Sequence, residues 1–346
     1  MTRLLLISPK FHGYHAAMGR AFEALGYEVS VYGYDAVDAT LEKVWNKARF
    51  ELPAKIRGTG ELQSAQTVSR RAAQRVREVS PDVVLVVRGD TLNEDFWATA
   101  AADGRRAAVW MYDEMSRTAF DLEVVEPYAR LATFSARDTK KLLGLGVDAL
   151  HVPLGYDDTM EPVTSEVGTG VVSFLGAPSA KREGALVALR DAGVPVKAWG
   201  RGWSDHPFDR ARTWRLRPSG LPNGREIPGA LAHTVMRNSI GTLNIHGDQD
   251  GFTMRTFEAA GTGAVQFIDR ADVSDFYTPG EEVLAFENNE ELVEIARRVA
   301  ARPQDFVSLR EAARRRTLAE HTLTHRAKQL EMLWTETTSA GGRAHG

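Results

Sequence analysis

Arg255 and Glu258, three positions apart, are the residues of this sequence best suited to bind a charged ligand. They follow an apolar run and a polar loop, in a stretch whose pattern predicts a helix. Residues three apart share one helical face, so the guanidinium and the carboxylate would lie side by side. The guanidinium can neutralise a diphosphate through forked hydrogen bonds, and the carboxylate can accept both hydroxyls of a ribose. A surface salt bridge without a ligand has the same spacing and is the alternative interpretation.

The polar loop before this pair, 246–251, contains carboxylates and no large apolar side chain. It leads into the predicted helix, whose first N–H groups have no partner within the helix and favour phosphate. We therefore predict substrate contacts from the strand end to the helix start, at Asn244, His246, Asp250, Gly251, Phe252 and Thr253. The pattern Asp248-Gln249-Asp250 also matches an Asp-x-Asp metal motif, but so short a match arises about once by chance here.

A second phosphate-binding candidate begins at Gly176, which ends a predicted strand, and continues to Lys181 and Arg182 at the next helix start. A small residue lets the backbone approach a phosphate, and a basic residue at a helix start can bind one. We favour Arg182 over Lys181 for this role. Gly200, which follows the next predicted strand, joins the same substrate-binding set. Two solvated charges in a first helical turn are the alternative.

Candidate catalytic groups lie nearer the N-terminus, at His12, His15 and Asp113. Both histidines fall in the segment 8–20, which reads as a strand end, a glycine-containing loop and a helix start. A neutral imidazole there can take a proton from a hydroxyl group, and Asp113, at the end of a later strand, can orient it or act as the base itself. The alternative is that these are ordinary loop histidines.

The elements that must position these residues alternate between strands and helices, which predicts a parallel sheet with right-handed crossovers. In the first half, short apolar runs predict buried strands at 4–8, 28–32, 83–87, 107–111, 131–135 and 151–154. Amphipathic stretches between them predict helices at 14–25, 63–79, 92–102 and 136–145. The second half repeats the pattern, with strands at 171–175, 196–199, 241–245, 264–268 and 283–286. Its helices include 181–192, 227–237 and 289–301, and the stretch 201–225 is expected to be an irregular connection.

The predicted fold class is therefore α/β, with two Rossmann-like domains. We expect an N-terminal Rossmann-like domain at 1–155, a linker at 156–170, a second Rossmann-like domain at 171–322, a last helix at 323–336 and a disordered tail at 337–346. The linker is rich in Asp, Thr, Gly and Glu and poor in large apolar residues. The tail is polar and contains glycine.

Composition excludes several classes of function. The formal net charge of −3 over 346 residues provides no field for polyanions, so no nucleic-acid partner is expected. The absence of cysteine excludes disulfides and thiolate chemistry, and the scattered histidines show no ligand spacing, so neither a metal nor a cofactor is expected. No apolar run approaches the roughly 20 residues of a membrane span, so we expect a soluble, cytoplasmic protein.

The C-terminal half resembles the CgeB-type, or spore-maturation-protein-like, glycosyltransferases. The resemblance is carried by Leu243-Asn244, Arg255-Thr256-Phe257-Glu258, Gly261-Thr262-Gly263, Asp269, Gly280-Glu281 and His321-Thr322 with Arg326. Upstream landmarks are Phe174-Leu175-Gly176 and Trp199-Gly200-Arg201-Gly202-Trp203, so the resemblance covers about 171 to 330. The motifs occur in order at compatible spacing, which makes them jointly specific.

This resemblance implies the GT-B fold, in which two domains face a central cleft, and metal-independent transfer of a sugar from a nucleotide sugar to an acceptor. The N-terminal domain at 1–155 would then be the acceptor domain, and the domain at 171–322 the nucleotide-sugar domain. The last helix would pack back across both domains. Asp250 and Glu258 match the Glu-x7-Glu spacing of many retaining GT-B enzymes, with Asp in place of the first acid. There the first acid contacts the sugar and the second the ribose, so the shorter Asp250 leaves the stereochemistry open.

The sequence leaves other functions open. The same fold supports sugar-nucleotide epimerases and phosphorylases, and a degenerate GT-B domain can serve as a binding subunit. An intact Arg255–Glu258 pair counts against degeneration. The donor, the acceptor and the oligomeric state are not specified by these patterns.

Overall fold

The computed structural model describes residues 1–10, 13–34, 60–214 and 218–335. Packing divides the chain into two units. The first unit consists of Met1–Pro153 together with the C-terminal segment that begins at Leu323. The second unit is Leu154–Thr322.

The first unit contains a parallel six-stranded sheet in the order β2-β1-β3-β4-β5-β6. Its strands are β1 (Arg3–Ser8), β2 (Glu28–Gly33), β3 (Val83–Val87), β4 (Arg106–Met111), β5 (Arg130–Thr133) and β6 (Ala149–His151). The apolar residues of β1 and β3 are almost fully buried, because helices cover both faces of a parallel sheet.

The helices of the first unit are α1 (Tyr14–Ala24), α2 (Gly60–Val79), α3 (Glu94–Ala101), α4 (Leu122–Val125) and α5 (Ala136–Gly144). Side-chain caps fix three of their starts: Asn93 accepts a hydrogen bond from Phe96 N–H, Asp121 accepts from Glu123 and Val124 N–H, and Ser135 accepts from Asp138 N–H. The last helix, α12 (Leu323–Thr335), packs against α1, β4 and β5 and so belongs to this unit. Its predicted packing across both domains stays a prediction.

The second unit contains another parallel six-stranded sheet, in the order β12-β11-β10-β7-β8-β9. Its strands are β7 (Val172–Leu175), β8 (Val196–Trp199), β9 (Asn223–Gly224), β10 (Gly241–Asn244), β11 (Gln266–Ile268) and β12 (Leu284–Ala285). Its helices are α6 (Ala180–Asp191), α7 (Pro207–Arg212), α8 (Gly229–Asn238), α9 (Met254–Gly261), α10 (Asn289–Ala301) and α11 (Val307–Glu320). The predicted α/β class with two Rossmann-like sheets is therefore confirmed.

The direction of strand addition reverses once in each sheet. The reversal lies between β1 and β3 in the first unit and between β7 and β10 in the second. Open α/β sheets bind ligands at the carboxyl ends of strands beside such a reversal. Ligand sites are therefore expected at the loops after β1 and β3 in the first unit, and after β7 and β10 in the second.

The connection at 201–225 differs from the irregular stretch that the sequence predicts, because it contains α7 and β9. Trp203 and Leu221 bury their side chains in the core of the second unit and fix both ends of this connection. Trp203 Nε1 also donates to the carbonyl oxygen of Gly176 at 3.0 Å. Elements this short carry too few residues to show a periodicity in the sequence.

The sixth predicted strand, 151–154, lies earlier in the structure, at β6. The predicted disordered tail, 337–346, lies outside the described residues. None of the helices among the described residues is long and apolar enough to cross a membrane.

Candidate functional site

The carboxyl ends of β7, β10 and β11 meet at one edge of the second sheet, because these strands are parallel neighbours. They lead into Gly176, into Ile245-His246 and into Asp269. Most of the predicted substrate-binding residues therefore belong to loops and helix starts at this edge. Their side chains nevertheless fall into distinct groups.

The Arg255–Glu258 pair lies on α9, one turn apart, as its spacing predicts. Arg255 Nη1 donates to Glu258 Oε2 at 2.5 Å. The Glu258 side chain is only 3% exposed, whereas that of Arg255 is 28% exposed. The pair is thus not a salt bridge between two solvated side chains, and its role in ligand binding stays a prediction.

A buried histidine and tyrosine line the inner side of Glu258. His233 Nε2 lies 3.8 Å from Glu258 Oε1, and the His233 side chain is 1% exposed. The Tyr156 and His233 rings are tilted by 34° with centroids 5.5 Å apart, and burial raises the pKa of Tyr156 to about 12. A Cβ atom on Gly261 would lie 2.6 Å from the Tyr156 ring, which explains the need for glycine there.

The two basic residues at the start of α6 have different surroundings. Arg182 donates through Nε and Nη2 to the carbonyl oxygen of Ile245, at 3.1 and 2.9 Å, and through Nη1 to Ala177 O at 3.0 Å. Lys181 is 61% exposed on its side chain, and its Nζ lies 2.5 Å from Asp269 Oδ2. Arg182 therefore joins two loops of the site, while Lys181 keeps a solvent-accessible ammonium group.

Asn244 and His246 lie in a buried hydrogen-bond network at the end of β10. Asn244 Nδ2 donates to Thr256 Oγ1 at 2.9 Å and to Gln266 Oε1 at 2.8 Å. His246 Nε2 lies 3.4 Å from Thr256 Oγ1, and His246 Nδ1 lies 3.1 Å from Asp269 Oδ1. Both predicted substrate contacts are thus at most 5% exposed, with their polar atoms engaged inside the protein.

The protonation states of this network follow from burial. Burial lowers the pKa of His246 below its ordinary value of 6.5, although Asp269 acts in the opposite direction. Burial alone would raise the pKa of Asp269, but hydrogen bonds from His246 and Lys181 outweigh it and lower that pKa. A neutral His246 then donates Nδ1–H to the Asp269 carboxylate, and Nε2 accepts from Thr256.

Arg270 holds the loop at 246–251 through hydrogen bonds to its backbone. Arg270 Nη1 donates to the carbonyl oxygens of Gln249, at 3.2 Å, and Asp250, at 2.5 Å. Its guanidinium carbon lies 3.9 Å from the centre of the Phe252 ring, a cation–π contact. Phe252 is therefore a buried packing residue next to Gly251, and the loop carrying Asp250 has a fixed path.

Thr253 is the residue before α9, but it makes no side-chain cap. Its Oγ1 is buried, without a hydrogen-bond partner among the described residues. A buried hydroxyl beside the start of a helix is a donor that a ligand oxygen could satisfy. Thr253 keeps its predicted place among the substrate contacts.

Gly176 and Gly200 lie side by side after β7 and β8. Gly200 has φ +148°, and a Cβ atom there would lie 2.4 Å from the carbonyl oxygen of Gly176. Backbone atoms cannot move aside as a flexible side chain can, so this close approach requires glycine. The observed requirement is packing between the two loops.

In the first unit, His15 and Asp113 lie at the carboxyl-end edge of the sheet. The rings of their neighbours Tyr14 and Tyr112 have centroids 6.5 Å apart, which brings the start of α1 close to the loop after β4. Asp113 Oδ1 accepts from Glu114 N–H at 3.0 Å and lies 3.6 Å from Arg117 Nε. His12, the third catalytic candidate, lies outside the described residues.

Several site residues carry no marker in the sequence. His233 approaches Glu258 from α8, and the Tyr156 ring lies against His233. Gln266 belongs to β11, the strand next to β10, and Arg270 follows that strand. Asp269 had one signal, its place as the acidic strand end of the CgeB-type pattern. Within the described ranges, no cluster of three or more His, Asp or Glu side chains could hold a metal ion.

Comparisons with known proteins agree with this architecture. A family model described as "Glycosyl transferase-like" matches residues 182–332. Sucrose-phosphate synthase from Thermosynechococcus elongatus is similar over 96% of this chain and 98% of its own, with a TM-score of 0.64 and 13% identity. The chain has the GT-B fold, and its residues 182–332 match the glycosyl transferase-like family model.

Other GT-B structures are similar over nearly the whole chain. Anabaena HepE in complex with UDP-glucose has a TM-score of 0.61 and 10% identity, over 96% of this chain and 98% of its own. A putative UDP-N-acetylglucosamine 2-epimerase from Listeria monocytogenes has a TM-score of 0.60 and 11% identity, over 94% of each chain. The sequence has no match among curated proteins. At these identities, likeness to GT-B structures establishes the fold alone.

Proposed function

We propose that this protein is a glycosyltransferase of the CgeB type, which moves a sugar from a nucleotide sugar to an acceptor without a metal ion. The observation that carries the proposal is the Arg255–Glu258 pair at the start of α9, beside the strand reversal and within the matched segment. Reversal points of open α/β sheets are ligand sites, and a helix start favours the diphosphate of such a donor.

The donor that we propose is a uridine diphosphate sugar. Support comes from the HepE structures, which contain UDP or UDP-glucose, and from other GT-B neighbours solved with uridine diphosphoglucose or UDP. Glu258 would accept the ribose hydroxyls, and Arg255, Lys181 and the helix start would bind the diphosphate. Asn244 and His246, whose polar atoms are engaged by neighbouring side chains, would act by holding Thr256 and the loop at 246–251.

In the reaction that we propose, an acceptor oxygen forms a bond to the anomeric carbon while the bond from that carbon to the diphosphate oxygen breaks. The leaving diphosphate keeps the electron pair, and cationic and helix N–H groups stabilise its charge, so no metal is required. The acceptor proton goes to a base, for which His12, His15 and Asp113 are the candidates. Gly176, Gly200 and Gly251 would let the backbone approach the donor.

A second candidate function is epimerisation of a sugar nucleotide. The observation that favours it is the similarity to the putative UDP-N-acetylglucosamine 2-epimerase. An epimerase converts the nucleotide sugar without consuming an acceptor, whereas a transferase consumes one. The two candidates therefore differ in their products.

A thermal-shift screen of nucleotide sugars tests the proposal. A donor at 100 times its Kd adds about 2.7 kcal/mol to stability, so a true donor raises Tm by several degrees. Sugar transfer is then followed with a pooled set of acceptors, and epimerisation by NMR of the donor incubated alone. Stabilisation by no nucleotide sugar or nucleoside diphosphate would contradict both candidate functions.

Metal independence is tested with the same assay in excess EDTA. We expect activity to persist, because the charge of the leaving group is neutralised by Arg255, Lys181 and the start of α9 in our proposal. Loss of activity on chelation, restored by manganese or magnesium, would assign Asp248 and Asp250 to a metal site instead.

A further inference from the structure

Asp269, at the end of β11, joins three strand ends of the candidate donor site. Its carboxylate accepts from Lys181 Nζ at 2.5 Å, from the backbone N–H of His246 at 3.0 Å, and lies 3.1 Å from His246 Nδ1. The Asp269 side chain is 4% exposed, whereas the Lys181 side chain is 61% exposed. One buried anion thus holds an accessible cation and the first residue of the loop at 246–251.

A lysine ammonium group on a flexible stem loses conformational entropy when it binds a phosphate, unless a contact already holds it in place. Lysine and arginine side chains both lose rotamer entropy when they are ordered. The contact with Asp269 orders Lys181 before a ligand arrives. Arg182, the other cation of this turn, already donates to Ile245 O and Ala177 O.

We propose that Asp269 is a positioning residue for the donor diphosphate, which acts by holding Lys181 at the strand ends and fixing the start of the loop at 246–251. This inference rests on the proposed function, because it assigns Lys181 to the diphosphate of the same donor. Asp269 itself does not contact the ligand: its carboxylate faces His246 and the ammonium group of Lys181.

The test is a double-mutant cycle on the affinity for UDP, measured by calorimetry with the full chain. Asp269→Asn keeps an oxygen that can accept from His246 N–H but removes the charge that holds Lys181. We expect it to weaken UDP binding about tenfold, and Lys181→Met to weaken it at least as much. The Asp269→Asn/Lys181→Met double variant should bind no more weakly than Lys181→Met alone, since both changes remove one coupled interaction.

The matched control is Asp191→Asn, at the opposite end of α6, where Asp191 pairs with Arg190. This variant should leave the Kd for UDP unchanged. Asp269→Glu, which restores the charge, should recover part of the affinity that Asp269→Asn loses. Thermal unfolding of each variant establishes that the affinity is measured on folded protein.

Three results would overturn the inference. Unchanged or tighter binding by Asp269→Asn would show that the carboxylate does not prepare Lys181 for the ligand. If Asp269→Asn weakened UDP binding by the same factor in the wild-type and Lys181→Met backgrounds, Asp269 would act on the loop at 246–251 alone and not through Lys181. Wild-type protein that binds none of UDP, GDP, ADP and TDP would contradict the proposed function itself, and this inference with it.

Discussion

Glu258 is almost completely buried beneath Arg255, which keeps more than a quarter of its side chain exposed while it donates to Glu258 Oε2. A buried carboxylate requires a partner for its charge, and here the partly exposed Arg255 provides it. The carboxylate of Glu258 and the accessible edge of Arg255 thereby remain in a fixed relation at the start of α9. Glu258 thus needs Arg255 as the partner of its buried charge, and the two side chains together have a geometry suited to binding a nucleotide.

We expect Glu258→Gln to weaken UDP binding by about 1.5–3 kcal/mol, because a charge-assisted acceptor for the ribose is lost. Because Glu258 is buried, the variant should also lose stability, as Arg255 is left without its anion. Arg255→Lys should weaken binding as well, since a point charge does not replace a planar fork. Calorimetry with UDP measures both effects.

The control for this pair is Glu320→Gln. Glu320 forms an exposed pair with Arg316 on α11, and its loss should change neither affinity nor stability appreciably. If Glu258→Gln bound UDP as tightly as wild type while being less stable, Glu258 would be a structural residue only.

Alanine at the true general base should lower kcat about 10²–10⁴-fold while donor affinity stays nearly constant. The variants are His12→Ala, His15→Ala and Asp113→Ala, with turnover followed as UDP release in the presence of acceptor. His206→Ala, an exposed histidine of the second unit, is the control. Near-wild-type turnover by all three would indicate a front-face reaction in which the leaving phosphate takes the proton, and NMR of the product anomer would then establish its stereochemistry.

Protein stability should decline as pH falls below about 6.5, in part because of His246. Its pKa in the folded protein is lowered by burial, so the unfolded chain takes up a proton that the folded chain does not. This contribution is present above pH 6.5 and is lost as the pH falls toward the folded-state pKa. His246→Asn should show a flatter dependence of the unfolding free energy on pH than the wild type, measured in urea. A wild-type slope in His246→Asn would contradict the assignment of a buried neutral imidazole.

Tyr27→Phe should destabilise the protein by about 1–3 kcal/mol, because Tyr27 joins α12 to the rest of the first unit. Its hydroxyl donates to Glu331 Oε1 at 2.6 Å and accepts from Trp334 Nε1 at 2.9 Å. Burial and the hydrogen bond to Glu331 raise the pKa of Tyr27 to about 12. Stability from this group is therefore complete below pH 10 and is lost as the pH rises from 10 to 12.

Denaturation at several alkaline pH values checks this dependence, which the Phe variant should show less strongly. Tyr128→Phe is the matched control: its hydroxyl donates to Glu94 at an exposed site, so a smaller loss is expected. Equal losses in the two variants would mean that burial of the Tyr27 contacts contributes nothing.

The sequence by itself determined the features that depend on local backbone geometry. Strand and helix periodicities are set within each segment, which is why the alternation of strands (β9 apart) with helices, and the shared face of Arg255 and Glu258, could be predicted. Short elements such as α7 and β9 were not predicted, because they contain too few residues to show a period. The start of β6 was misplaced for a related reason, since strand ends carry weak signals.

Only the tertiary structure decided which side chains from distant parts of the sequence meet. Asp269 reaches Lys181 over 88 positions of sequence and His246 over 23, and no local pattern encodes either contact. The burial of Glu258 against His233, and the engagement of Arg182 rather than Lys181 by backbone carbonyls, depend likewise on the order of strands in the second sheet. Charge and residue type in the sequence define what a group can do, but solvent access and partners arise from elements packed from distant parts of the chain.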